Sequence, residues 1–354
     1  MPKSSTETAI RLTELAHGGG CGCKLAPSVL VDILKGVPQM NPVADLLVGL
    51  ETSDDAAVYR INDDQAIVAT TDFFMPIVDA PYDFGRIAAC NALSDVFAMG
   101  ARPIFALAIV GMPVAKIGVD TVRAILAGGN AVCTEAGIPI AGGHSIDSVE
   151  PIYGLVAMGT VDPNKILRNS TARSGDVLIL TKRLGVGIFS AALKKNILGE
   201  CEYAEMLSSM TQLNSVGAEL AHLPGVHAMT DVTGFGLLGH ALEMCRGSSL
   251  SLQVDMSAVP VFSAALELAE RGIVTGASRR NWESYGCDVA VPAPFAEWRR
   301  NVLCDPQTSG GLLIACARTA ATTVLDLLMR RNYAYSCLIG EFDHGPAKIT
   351  ISDG

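Results

Sequence analysis

Residues 17–24 read His17-Gly18-Gly19-Gly20-Cys21-Gly22-Cys23-Lys24. The glycines let the backbone approach a ligand closely, and an ammonium three residues beyond Cys21 would lower the pKa of that thiol toward the reactive thiolate. The same stretch also reads as a mobile terminal arm. A third reading is a soft-metal clip from His17, Cys21 and Cys23, although the second Cys or His pair of a usual zinc site is absent. It is not a Walker loop, because Lys24 is followed by Leu25 and not by Ser or Thr.

Aspartates form the second set. Asp54-Asp55 precede a short apolar run, Asp72 follows the apolar run 66–71, and Asp95 lies four residues after Asn91, on the same face of an expected helix. Asp231 stands between Ala228-Met229-Thr230 and Val232-Thr233-Gly234-Phe235-Gly236. Each alone reads as a cap or turn residue, and Asp231 as a helix start. Several together, with no Lys or Arg beside them, suit Mg²⁺ shared with nucleotide phosphates. Two glycine-bearing loops, Ala141-Gly142-Gly143-His144-Ser145 and Pro306-Gln307-Thr308-Ser309-Gly310-Gly311, offer N–H groups and hydroxyls to an anion or a ribose. Both are also ordinary turn compositions. His144 reads equally as structural, as do His222, His227, His240 and His344, none of which has catalytic spacing.

The elements that must position these residues follow from the apolar patterning. Strands are expected over 46–50, 57–59, 66–71, 103–110, 138–141 and 152–161, with helices over 27–35, 84–99 and 120–136. The turn-rich stretch 162–176 reads as a boundary. Beyond it, strands are expected over 177–181, 250–254, 312–315, 336–340 and 348–351. Helices are expected over 186–196, 204–221, 237–245, 260–271 and 319–331. Both halves read as α+β, without a regular βαβ alternation. Three regions result: an arm with a first helix over 1–45, a domain holding ATP and metal over 46–165, and an α+β domain over 166–354.

Composition limits the partners. The 354 residues carry a net charge of −10, which disfavours nucleic acid, since phosphate backbones are bound through excess positive charge. It does not disfavour a nucleotide held through a cation. With 49% hydrophobic and 18% charged residues, a large core is expected and general disorder is excluded. No uncharged run exceeds 13 residues, too short to span a membrane. The first residues lack an apolar signal segment, so the ten cysteines read as buried thiols in a cytoplasmic protein.

The arm motif joins further blocks: Thr70-Thr71-Asp72-Phe73-Phe74-Met75-Pro76, Asn91-Ala92-Leu93-Ser94-Asp95, Gly142-Gly143-His144-Ser145, Thr230-Asp231-Val232-Thr233-Gly234-Phe235-Gly236 and Cys304-Asp305-Pro306-Gln307-Thr308-Ser309-Gly310-Gly311. Together they resemble the selenide, water dikinases (selenophosphate synthetases), within the ATP-using superfamily of aminoimidazole ribonucleotide synthetase. The resemblance implies synthesis of selenophosphate from ATP, selenide and water with release of AMP and orthophosphate. The product supplies activated selenium for selenocysteine and selenouridine. It also implies a Mg²⁺ requirement and K⁺ stimulation. The implied assembly is a homodimer in which the N-terminal α/β domain joins an interface barrel beside a C-terminal α+β domain. By motif, Cys21 takes the reactive position, filled by cysteine or selenocysteine in the family, and Lys24 that of the essential lysine. Cys23 matches a dispensable cysteine. Asp55, Asp95 and Asp231 match metal ligands, and Thr52, Ser53, Asp54, Asp72, Asp95 and Gly143-His144-Ser145 match nucleotide contacts.

Overall fold

The computed structural model describes residues 11–25, 29, 32, 33, 35, 43–49 and 54–353. The first half holds β1 (Leu46–Val48), β2 (Ala57–Asn62), β3 (Gln65–Phe74), α1 (Pro81–Ala98), β4 (Arg102–Met112), α2 (Val119–Glu135), β5 (Ile140–Asp147) and β6 (Ile152–Val161). Its strands form one sheet in the order β1-β2-β3-β6-β4-β5, with only β4 and β5 parallel. Burial in β3 alternates, so Thr70 and Asp72 share the covered face with Ala66, Val68 and Phe74. That face meets α1, which Pro81 opens at a first-turn position where no N–H partner is needed.

The second half holds β7 (Asp176–Leu180), α3 (Val186–Lys194), α4 (Glu200–Thr211), α5 (Gly217–Leu220), β8 (Val226–Asp231), α6 (Gly236–Ser248) and β9 (Leu250–Asp255). It continues with α7 (Ser263–Glu270), α8 (Gly276–Tyr285), β10 (Val289–Ala290), α9 (Glu297–Leu303), β11 (Leu312–Ala317), α10 (Ala321–Arg330), β12 (Cys337–His344) and β13 (Ile349–Ser352). The seven strands run β10-β13-β9-β12-β7-β11-β8, mostly antiparallel. α1 is buried nearly all round because α2 flanks it beside the first sheet and α4, α5 and β8 of this half cover the rest. One core cluster runs through both halves.

Several elements depart from the sequence expectation. The helix expected over 204–221 breaks into α4 and α5. At the break, the Asn214 side chain donates to Ser94 and to the Gly310 carbonyl, while Tyr333 Oη donates to the Leu213 carbonyl at 2.6 Å. These tertiary bonds outweigh local propensity. β8 was not expected, because Val226–Asp231 is short and carries His227 and Asp231 among few apolar residues; pairing with β11 makes it a strand. β10, α8 and α9 were likewise not expected. β3 continues through Asp72 to Phe74. The 138–141 strand runs on through the glycine-bearing segment as β5, an exposed edge strand and not a loop. The helix over 27–35 falls largely outside the described residues.

Candidate active site

The cluster is built from four segments. α1 places Asn91, Ser94 and Asp95 at i, i+3 and i+4, on one face over β3. β3 supplies Thr70 and Asp72, the bend before β2 supplies Asp54 and Asp55, and β8 ends on Thr230 and Asp231. Carboxylate oxygens of Asp55, Asp95 and Asp231 lie within 4.8 Å of one another, so the two halves of the chain meet there. Each is held by a hydroxyl from a different segment. Thr70 donates to Asp95 at 2.6 Å, Thr230 to Asp55 at 2.7 Å, and Ser94 to Asp231. Burial pushes the Asp55 and Asp95 pKa values well above the usual range, and like-charge neighbours, Asp231 foremost, add to it. Burial raises Asp231 as well, against the opposing hydrogen bond from Ser94.

Asp55 Oδ2 is buried without a hydrogen-bond partner. An orphaned carboxylate oxygen facing two further carboxylates is the donor set of a hard divalent cation, so these residues fit Mg²⁺. Asp231 is therefore not a helix cap. It ends β8, and α6 begins five residues later with Phe235 at its N-cap.

The arm is seated against this cluster. Residues Gly20–Cys23 form a single 3-10 turn, and Cys21 is fully buried. Cys21 N–H donates to Thr308 Oγ1 at 3.0 Å, and its Sγ donates to Asn91 Oδ1 at 3.1 Å. Asn91 Oδ1 also accepts the Ser309 N–H at 2.7 Å, and Asn91 Nδ2 donates to Asp72 Oδ2 at 2.7 Å. Lys24 Nζ reaches the same Asp72 oxygen at 3.1 Å. Gly20 takes φ +55°, and a Cβ there would collide with Thr308 Oγ1 and the Ile77 side chain; only glycine fits.

Two readings of the arm are corrected by this geometry. Lys24 does not hold Cys21 as a thiolate. Burial first, then the Asp72 carboxylate, push the thiol well above its usual pKa, and the opposing pull of Lys24 is smaller. The ammonium pairs with Asp72: burial alone would lower its pKa, but nearby negative charge, that of Asp72 foremost, holds it well above the usual lysine value. The soft-metal clip fails too. His17 is exposed and pairs with Glu150 at 2.9 Å, while Cys21 points at Asn91. Among the described residues only Asp55, Asp95 and Asp231 gather as candidate metal ligands.

The remaining expected contacts are dispersed. Asp54 Oδ1 accepts the Asn169 N–H at 2.7 Å. Thr52 and Ser53 lie outside the described residues. Gly143, His144 and Ser145 line an open groove with Ala108, Val110, Leu126 and Asn130, which none of the aspartates joins. Thr70, Ser94, Thr230 and Asn214 were missed. The available signal was a hydroxyl beside or near an aspartate, as in Ser94-Asp95 and Thr230-Asp231. Adjacency, however, gives the wrong pairs, since each of these hydroxyls serves a carboxylate on another element.

Sequence models of the AIR synthase related protein N-terminal and C-terminal domains match residues 53–161 and 173–352. The selenide, water dikinase of Paraburkholderia xenovorans is 58% identical over 346 residues, 98% of each chain. That of Rhizobium meliloti is 57% identical over 343 residues, 97% of this chain and 98% of its own. This chain belongs to the selenide, water dikinase family. Its fold recurs in thiamine-monophosphate kinase from Stenotrophomonas maltophilia, with a TM-score of 0.64 at 19% identity over 94% of this chain and 97% of that one. It recurs also in the hydrogenase maturation protein HypE of E. coli, with a TM-score of 0.59 at 20% identity over 83% and 86%. The two-domain AIR synthase-like architecture expected from the sequence is thus the architecture of the chain. All ten cysteines of this member are free thiols. No helix among the described residues is long and apolar enough to cross a membrane.

Proposed function

We infer that this member of the family makes selenophosphate from selenide, ATP and water, releasing AMP and orthophosphate and supplying activated selenium for selenocysteine and selenouridine. The observation that carries the assignment of residues is the meeting of Asp55, Asp95 and Asp231 from two halves of the chain beside a seated Cys21–Lys24 arm. Mg²⁺ held by these aspartates would neutralise triphosphate charge, which an acidic protein otherwise repels. Lys24 supplies the protein's own cation to the transferring phosphoryl group, steered by Asp72. Cys21, a thiol at rest in contact with Asn91, is the soft atom available to selenium. The arm, closed over the carboxylates, keeps water from the phosphorylated intermediate. Asp54, Asp72, Thr52 and Ser53 are assigned to the nucleotide, with K⁺ as a further stimulating ion, and 46–165 and 166–354 as the two domains that flank it.

The protein is proposed to act as a cytoplasmic homodimer. The face of the first sheet turned away from α1 presents Ile67, Phe73, Leu107, Ile109, Val156 and Met158, apolar and only partly covered, next to the open edge of β5. Such a face and edge favour a second copy. Strands of a second copy closing a barrel there would bring Gly143, His144 and Ser145 to a nucleotide that the isolated chain leaves out of their reach.

The decisive assay separates AMP from ADP. Purified protein with Mg-ATP is expected to release AMP and selenophosphate, read by phosphorus NMR, only when selenide is added. ADP as the sole product, or AMP formation indifferent to selenide, would remove the assignment.

A further inference from the structure

Lys182, just after β7, is 3% exposed, yet its ammonium has no carboxylate partner among the described residues. Its three N–H donors meet three backbone carbonyls instead: Gln212 at 2.7 Å, Ser309 at 2.9 Å and Ser209 at 3.3 Å. Two of these carbonyls belong to the C-terminal end of α4, where the helix leaves unpaired acceptors and a partial negative charge. The third belongs to Ser309, whose φ of +49° is left-handed, a conformation a serine avoids unless its surroundings impose it. With its carbonyl held by Lys182 on one side of Cα, the left-handed Ser309 turns the N–H on the other side to Asn91 Oδ1, the atom that also accepts the Cys21 thiol.

We propose that Lys182 is a positioning residue: its ammonium clamps the Ser309 carbonyl and so holds Ser309 in the left-handed conformation, so that the Ser309 N–H fixes Asn91, and Asn91 in turn seats Cys21 and its arm. A buried cation is expensive to keep without a counter-ion, and a neutral apolar side chain would fill the same space at lower cost. Here the charge has a structural task that an apolar group cannot perform. Burial lowers the Lys182 pKa to about 8, against the opposing pull of Cys90 and the Asp231 carboxylate. The neighbouring Gly310 and Gly311 are needed because a Cβ would run into the Val232 carbonyl or the Lys182 N–H, so the loop has one place to pass.

The proposal rests on the functional reading only in treating Cys21 as the reactive thiol, and its main test needs no turnover. In Lys182→Met, iodoacetamide labelling of Cys21, followed by peptide mass spectrometry, should rise by about tenfold, while Cys245 and Cys316 stay protected as in the parent protein. Turnover should fall by a similar factor of about ten with little change in KM for ATP. Adding Ser309→Gly should restore protection of Cys21, because glycine holds a positive φ without a clamp. Unchanged Cys21 labelling in a folded Lys182→Met protein would overturn the proposal. So would equal exposure of Cys21, Cys245 and Cys316, which marks general loosening. If Lys182→Met does not fold, Lys182→Gln retains donors for two carbonyls and should give intermediate labelling; parent-level protection there would equally overturn it. Loss of selenophosphate synthesis in the parent protein, with the labelling pattern intact, would refute the functional reading and leave the clamp standing.

Discussion

Replacing Asp231 by Asn should make the metal-free protein more stable and at the same time remove its response to Mg²⁺. At 4.8 Å, two full negative charges repel by about 3.5 kcal/mol in an effective dielectric of about 20. Asp231 takes part in two such pairs, with Asp55 and with Asp95. Their raised pKa values keep part of that charge off the protein at neutral pH, so the relief amounts to about 1–2 kcal/mol. An asparagine retains the oxygen that accepts from Ser94, and its amide can donate to a neighbouring carboxylate. For a chain of 354 residues the gain corresponds to about 1–3 °C in Tm. The parent protein, by contrast, should gain about 2.7 kcal/mol when Mg²⁺ stands at about 100 times its Kd. Thermal scans in EDTA and across a MgCl₂ series measure both effects on one sample. A variant that melts no higher than the parent in EDTA and still gains the full increment with Mg²⁺ would refute the three carboxylates as a joint cation site.

Two further expectations come from the same neighbourhood. Gly20→Ala puts a methyl group against Thr308 and Ile77 at a positive φ, so the arm should unseat; selenophosphate synthesis should drop by about a hundredfold while Tm moves by only a few degrees, as turnover and calorimetry would show. Asp305 is fully buried, accepting N–H groups of Gly187, Ile188 and Gln307 through one oxygen, and burial pushes its pKa up to about 8. The native state then holds a proton that the unfolded chain releases near pH 4, so this group's contribution to stability is full below about 4 and falls away as pH rises to about 8. Asp305→Asn should flatten that slope in denaturant titrations between pH 5 and 8, and an unaltered slope would exclude Asp305 as its source.

Much of the site could be read from residue types alone. The 3.6-residue period of α1 puts Asn91 and Asp95 on one face from the sequence alone. The glycines around Cys21 announced a close backbone approach, and the scattered aspartates announced a cation, because so many carboxylates without basic neighbours have few other uses. Family resemblance named the chemistry. These are local or compositional signals, and local sequence carries them.

What the fold alone decided is which groups meet. Thr70 sits two residues from Asp72 yet bonds Asp95, and Ser94 sits beside Asp95 yet bonds Asp231. A shared face does not choose a partner: Thr70 and Asp72 lie on one face of β3, and Ser94 and Asp95 on one side of α1, yet each hydroxyl meets a carboxylate that another element brings nearer. β8 exists because β11 pairs with it, and the break before α5 exists because Asn214 is claimed by Ser94 and Gly310. The state of Cys21 was the clearest reversal. Three residues away in sequence, Lys24 promised a thiolate; in space the ammonium turns to Asp72, and burial, a property of the whole packed molecule, keeps the thiol protonated. Charge and spacing are written in the chain, but desolvation and the choice among competing partners arise only when distant segments close around them.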